Sequence, residues 1–189
     1  MFGAITEAVS RRRALAIAPF VLGGAAVVLS QVGRSSGGSD NIDVTIVEFD
    51  DSGRKLGPAV RKKVVRSDGD WRRQLRPGQY WSARRGSTDT PFTGTYYQLE
   101  AVGLFRCVCC GNALFSSSTK FDSGSGWPSF NAPVAAENIS TQTDNSLSIE
   151  RVEVLCRLCD AHLGHVFDDG PPPTGLRYCI NESALRFVQ

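Results

Sequence analysis

Cys107-Val108-Cys109-Cys110-Gly111 and Cys156-Arg157-Leu158-Cys159 are the two stretches around which the rest of the chain has to be arranged. A Cys-x-x-Cys turn lets two thiolates converge on one ion at roughly 2.3 Å each, and two such turns complete a tetrahedral four-cysteine site. On this spacing Cys107, Cys110, Cys156 and Cys159 are the candidate ligands of a structural Zn2+, with Cys110 preferred over Cys109. The gap between the pairs is longer than in a compact zinc ribbon. The ion would therefore join distant parts of the chain and contribute directly to folding. The same spacing also suits a redox dithiol or, in an oxidising compartment, disulfides. His162 is an alternative fourth ligand that an all-cysteine set makes unnecessary.

Around the cysteine pairs the chain reads as mainly β. From Pro91 onward, short apolar runs alternate with Gly, Pro, Asn and Asp. Leu104-Phe105, Leu114-Phe115, Leu147 to Val154, Arg177 to Ile180 and Leu185 to Val188 are the expected strands. Nothing after residue 85 keeps a long 3.6-residue period, so the sheets are expected to be antiparallel. Upstream, Val44 to Phe49 is a strand closed by the turn Asp51-Ser52-Gly53. Asp68-Gly69-Asp70 caps a short helix carrying Trp71 and Leu75, and Arg76-Pro77-Gly78 breaks it.

The chain has 189 residues, 41% of them hydrophobic and 21% charged, which suits one domain preceded by an extension. Arg11, Arg12, Arg13 and Arg34 against Glu7 give residues 1–39 a charge of +3, so a total of +2 leaves the body near −1. A near-neutral body gives no electrostatic footprint for nucleic acid, and none is expected as a partner. The basic stretch from Arg54 to Arg85 reads as a solvated face. Ser10-Arg11-Arg12-Arg13 before the apolar Ala14 to Val32 has the pattern of a twin-arginine signal. Residues 14–32 are also near the length of a membrane span, and no clear Ala-x-Ala site follows them. The expectation is export, or anchoring on the periplasmic side, with any membrane contact through residues 14–32 only. Ser35 to Asp40 is a linker by composition. The domains are then 1–40, a targeting or anchor segment with its linker; 41–69, an extension with one or more strands; and 70–189, the functional body.

Cys179 lies outside the four-cysteine set, in Leu176-Arg177-Tyr178-Cys179-Ile180-Asn181. On a strand, Arg177, Cys179 and Asn181 project to one face. A guanidinium beside a thiol favours the reactive thiolate, although a single cysteine is as readily a small buried hydrophobe. The only two histidines, His162 and His165, follow Cys159 closely and have the ordinary pKa for proton delivery near neutrality. Asp169 is placed in sequence to orient one of them or to help donate a proton, whereas the bland reading is a surface pair. Trp127, in Gly126-Trp127-Pro128-Ser129-Phe130, is either core or a stiff pocket wall against which methyl and sulfur groups pack well.

Thr90-Pro91-Phe92-Thr93-Gly94, Lys120-Phe121-Asp122-Ser123-Gly124, Gly126 to Phe130, His162 to Phe167 and Arg177-Tyr178-Cys179 occur in this order. With the two cysteine pairs they closely resemble the B-type methionine sulfoxide reductases over about residues 70–189. The resemblance implies reduction of the R epimer of methionine sulfoxide, free or in peptides and proteins, on a tent- or barrel-like pair of antiparallel sheets with a structural zinc site. It implies that Cys179 is the nucleophile, with His162, His165 and Asp169 around the sulfoxide oxygen and Arg177 and Asn181 supporting thiolate and substrate. It also implies Trp127, with Phe130 and Tyr178, as the substrate wall. Many members have a recycling cysteine where this chain has Ser125, and commonly Glu where it has Asp89. Attack leaves a Cys179 sulfenic acid. An external thiol such as thioredoxin is then expected to regenerate it, in preference to Cys109 beside a metal ligand.

Overall fold

Short strands divided by turns can pair only with neighbours that run back alongside them, and every ladder in the computed structural model is antiparallel. The structure describes residues 42–147 and 149–189; the targeting or anchor segment read into residues 1–40 lies outside the described residues. Among the described residues no helix is long and apolar enough to cross a membrane.

The described chain opens with a hairpin, β1 (Asp43–Phe49) and β2 (Lys55–Lys62), turned at the expected Asp51-Ser52-Gly53. Two helices follow, α1 (Asp68–Gln74) and α2 (Pro77–Arg85). Ser67, not the Asp-Gly-Asp run, caps α1, accepting the Asp70 N–H at 3.2 Å. Asp68 and Asp70 in the first turn and Arg72 and Arg73 in the last oppose the helix dipole. Pro77 does end α1, but it also opens α2, because a first-turn position needs no N–H. Then come β3 (Leu104–Cys107), β4 (Ala113–Ser116), β5 (Lys120–Phe121), β6 (Ser129–Phe130), β7 (Ile139–Asp144), β8 (Arg151–Cys156), β9 (His162–Phe167), β10 (Arg177–Ile180) and β11 (Leu185–Val188).

The body is two antiparallel sheets, one of three strands in the order β11-β3-β4 and one of six in the order β5-β6-β10-β9-β8-β7. Their shared core holds Phe105, Leu114, Phe115, Phe130, Val154, Leu163 and Ile180, all with no exposed surface. Phe130 stacks on Phe115 at 4.5 Å and meets Phe105 edge-on at 5.0 Å. Val44 and Ile46 of β1 enter the same core as Trp71 and Leu75. The buried Asn138 carboxamide ties β1 to the body. Its Oδ1 accepts the Val47 N–H at 2.7 Å, and its Nδ2 donates to the carbonyls of Val47 and Ala113.

The expected strand from Leu147 to Val154 begins later, at Arg151. Asp144 accepts the Ser146 N–H at 2.9 Å and the Arg151 guanidinium at 2.6 Å, closing the β7–β8 hairpin there. Leu147 and Ile149 consequently stand exposed in the connection. β2, β5, β6, β7 and β9 are strands beyond those expected from the sequence; in β9 the alternation is interrupted by Gly164 and by a bulge.

Candidate functional site

The alternation of β10 buries Tyr178 and Ile180 and turns Arg177 and Cys179 outward, half-buried. Directly across the ladders, Cys179 faces His165 on one side and Ser129 on the other, and His165 faces Glu153. Residues opposite one another in a ladder share a face. Four strands therefore carry Ser129, Cys179, His165 and Glu153 in one row.

His162 joins this face only because the sheet is irregular. Three residues apart, His162 and His165 would fall on opposite faces of a regular strand. The β8–β9 register pairs Val154 with Gly164 but Leu155 with His162, leaving Leu163 as an extra residue. The bulge returns His162 to the side of His165. The two rings lie 5.5 Å apart, and His162 Nδ1 sits 2.5 Å from Glu153 Oε1. Gly164 allows the close approach. At its φ of 150°, an added Cβ would fall 2.1 Å from the Cys179 carbonyl oxygen.

Each imidazole has its own carboxylate. Hydrogen bonds from the Ser146 hydroxyl, the Ser146 N–H and His165 hold the Asp144 carboxyl below the ordinary carboxylate range. As an ionised acceptor it requires the proton on His165 Nε2, 2.8 Å away. Burial, more than any charge, pushes the His165 pKa down and favours the neutral ring. Glu153 at His162 Nδ1 leaves His162 Nε2 as a buried nitrogen with no hydrogen-bond partner. Asp169 does not touch either ring. It forms a two-pronged pair with Arg177, Nε–Oδ1 and Nη2–Oδ2 both 2.8 Å, so the sequence expectation that it orients an imidazole is corrected. Asp144, Arg151 and Glu153 are the polar residues of the site that the sequence reading missed.

Burial raises the Cys179 thiol, and the Arg177 guanidinium and the Ser125 hydroxyl offset it only in part. Arg177 thus acts in the expected direction, but its charge is shared with Asp169 and spread over the Phe167 ring 4.5 Å away. A cavity of about 180 Å³ opens at Cys179, walled by Trp127, Arg151, His165, Phe167, Asn181 and Thr88. That is smaller than the usual drug-sized pocket and suits a single side chain. Asp89 locks two of its walls. Its N–H donates to Asn181 Oδ1 at 2.9 Å and its carbonyl accepts from Trp127 Nε1 at 2.9 Å. Phe130 and Tyr178, expected on the substrate wall, are corrected to core residues. Phe130 is fully enclosed, and Tyr178 points away from Cys179 toward Phe115, 5.7 Å between ring centres.

The cysteine pairs form a second centre. Cys107 ends β3 and Cys156 ends β8, one from each sheet. The two turns are local copies of one another. Cys107 N–H donates to Asn112 and Cys156 N–H to Ala161. Gly111 and Asp160, with φ of 78° and 53°, donate back to the carbonyls of Cys107 and Cys156. The sulfurs of Cys107, Cys110, Cys156 and Cys159 all lie within 4.8 Å of one another, with contacts of 3.7 Å (Cys107–Cys159) and 3.5 Å (Cys110–Cys156). Those separations are far beyond a disulfide bond and match the edge, about 3.8 Å, of a tetrahedron with 2.3 Å arms. The donor set and its geometry fit zinc. Cys109 is buried outside this set, and its carbonyl accepts from the Gln74 amide.

A family model described as the SelR domain matches residues 75–189. A peptide methionine sulfoxide reductase MsrB of Hahella chejuensis is 55% identical over 125 residues, 66% of this chain and 90% of the relative. One from Leptospira interrogans is 51% identical, covering 66% and 95%. The chloroplastic peptide methionine sulfoxide reductase B1 of rice is 51% identical over 64% of this chain and 56% of its own.

Proposed function

Since this chain belongs to the SelR-domain family and is a methionine sulfoxide reductase of the MsrB type, we propose that it reduces the R epimer of methionine sulfoxide through a sulfenic acid at Cys179. The observation that carries this is the row of Cys179 and His165 beside the Trp127 cavity, with His162 brought onto the same face by the bulge.

The substrate methyl packs on the Trp127 indole, a favourable surface for apolar and sulfur groups. The Cys179 thiol gives its proton to the lone-pair nitrogen of neutral His165, and the thiolate attacks the sulfoxide sulfur. Protonation of the sulfoxide oxygen by the imidazolium spares the departure of a bare oxyanion, with His162 as the second polar group beside it. In net terms the oxygen and the thiol proton end on Cys179 as a sulfenic acid. Methionine leaves as the thioether, its sulfur reduced by two electrons and that of Cys179 oxidised by two. An external dithiol such as thioredoxin then attacks the sulfenic sulfur, releases water and resolves the mixed disulfide with its second thiol. Ser125 supports external reduction because a hydroxyl forms no disulfide, and Cys109 is enclosed at the metal centre. A zinc ion held by Cys107, Cys110, Cys156 and Cys159 would join the two sheets and take no part in turnover. The arginine triplet and apolar run of residues 11–32 support export or anchoring on the periplasmic side.

Cys179→Ser tests the assignment. Turnover of the R epimer with a chemical dithiol should vanish while zinc content stays at one per chain and the thermal transition is kept. Retained turnover would refute the nucleophile.

A further inference from the structure

Ser125, which stands where a recycling thiol would otherwise be, has specific surroundings. Ser129 is fully buried and sits directly across the ladder from Cys179. Ser129 Oγ is 2.8 Å from Ser123 Oγ, and Ser123 Oγ is 2.7 Å from Ser125 Oγ. Ser123 Oγ also accepts the Ser125 N–H at 3.4 Å, which keeps the loop closed on itself. At one end the Ser125 hydroxyl favours the Cys179 thiolate. At the other, Ser129 Oγ lies 3.3 Å from the Trp127 carbonyl.

A hydroxyl has one proton and two acceptor lone pairs, so three in a row have two self-consistent directions. With Cys179 as a thiol, protons can point from sulfur through Ser125, Ser123 and Ser129 to the Trp127 carbonyl. A thiolate can only accept. Each hydroxyl must then turn, so that Ser129 donates to Ser123, Ser123 to Ser125 and Ser125 to sulfur. Each donor polarises the next, and the last bond is charge-assisted.

We propose that Ser123, Ser125 and Ser129 form a reversible hydroxyl relay that aims one donor at Cys179 and stabilises its thiolate. All three serines are positioning residues for the reacting sulfur. The charged and titratable groups that also face Cys179 are Arg177 with its partner Asp169, on the same strand and the segment following β9, His165 across the ladder, and Arg151 of β8 in the wall of the shared cavity. The relay rests on the reading of Cys179 as the nucleophile, but its test requires no turnover.

The experiment is the pH dependence of Cys179 alkylation by iodoacetamide, followed on the peptide that carries it, in the zinc-loaded full chain and in Ser125→Ala, Ser123→Ala and Ser125→Thr. In Ser125→Ala the midpoint should rise by about one pH unit, roughly a tenfold loss of thiolate at fixed pH. Ser123→Ala should give a smaller rise, and Ser125→Thr should return the midpoint toward that of the parent. Unchanged midpoints in both alanine variants would overturn the proposal. A rise in Ser125→Ala with none in Ser123→Ala would also overturn it, because a single contact would then suffice. Alkylation is read whether or not methionine sulfoxide is turned over, so failure of the relay and failure of the proposed function are separate results.

Discussion

Replacing Phe130 by leucine separates a core residue from a substrate wall. The ring has no exposed surface and contacts two others, Phe115 at 4.5 Å and 17° and Phe105 at 5.0 Å and 68°. Two aromatic pairs at about 0.5–1.5 kcal/mol each would be lost. Leucine retains most of the apolar burial, so the total cost should be about 2 kcal/mol. Alanine would cost about 3–5 kcal/mol, a large part of the stability of an ordinary domain. For a chain of this size about 2 kcal/mol corresponds to a fall in Tm of roughly 4–8 °C. The assay is a thermal scan beside kcat and KM for methionine-R-sulfoxide at a temperature where both proteins are folded. The expected result is the fall in Tm with KM within about twofold of the parent, since a side chain that never meets substrate contributes nothing to differential binding. A Tm within about 1 °C of the parent together with a roughly tenfold higher KM would refute the reasoning and return Phe130 to the cavity wall.

Glu153→Ala should lower kcat by about 10- to 100-fold with little change in KM, because a hydrogen bond to a charged group is worth roughly 1.5–3 kcal/mol and this one holds His162; Glu153→Gln, which keeps an acceptor, should lose less, and equal losses in KM alone would argue against it. The pH dependence of stability has a definite sign at His165. Its folded pKa is depressed by burial, so the unfolded chain binds the proton first. Stability should therefore decline as pH falls from about 7 through the ordinary histidine value of about 6.5 toward the lowered one. Asp144, whose carboxyl is held low, adds a further loss only below the ordinary carboxylate range. His165→Asn should flatten the first of these declines in a Tm-against-pH series, and an unchanged slope would place the neutral ring elsewhere.

Local spacing carried the four-cysteine cluster and the shared face of Arg177 and Cys179. Cys107 and Cys110, and Cys156 and Cys159, converge because a turn of four residues brings its ends together wherever it stands. Arg177 and Cys179 share a face because strand periodicity is two. The antiparallel, mainly β character followed from short runs and frequent breakers. Register between distant strands belonged to the tertiary structure. Glu153 became a partner of His162, and Asp144 of His165, only when β7, β8 and β9 were laid side by side, and single acidic residues in strands carry no local signal of that. The extra residue at Leu163 turned His162 onto the face that carries His165 and Cys179, through a mismatch between two strands that neither encodes alone. Phe130 and Trp127 sit three residues apart in one motif, yet one is sealed between two phenylalanines and the other walls the cavity. Side-chain direction there depends on what packs above each face, and chemical type and spacing do not contain it.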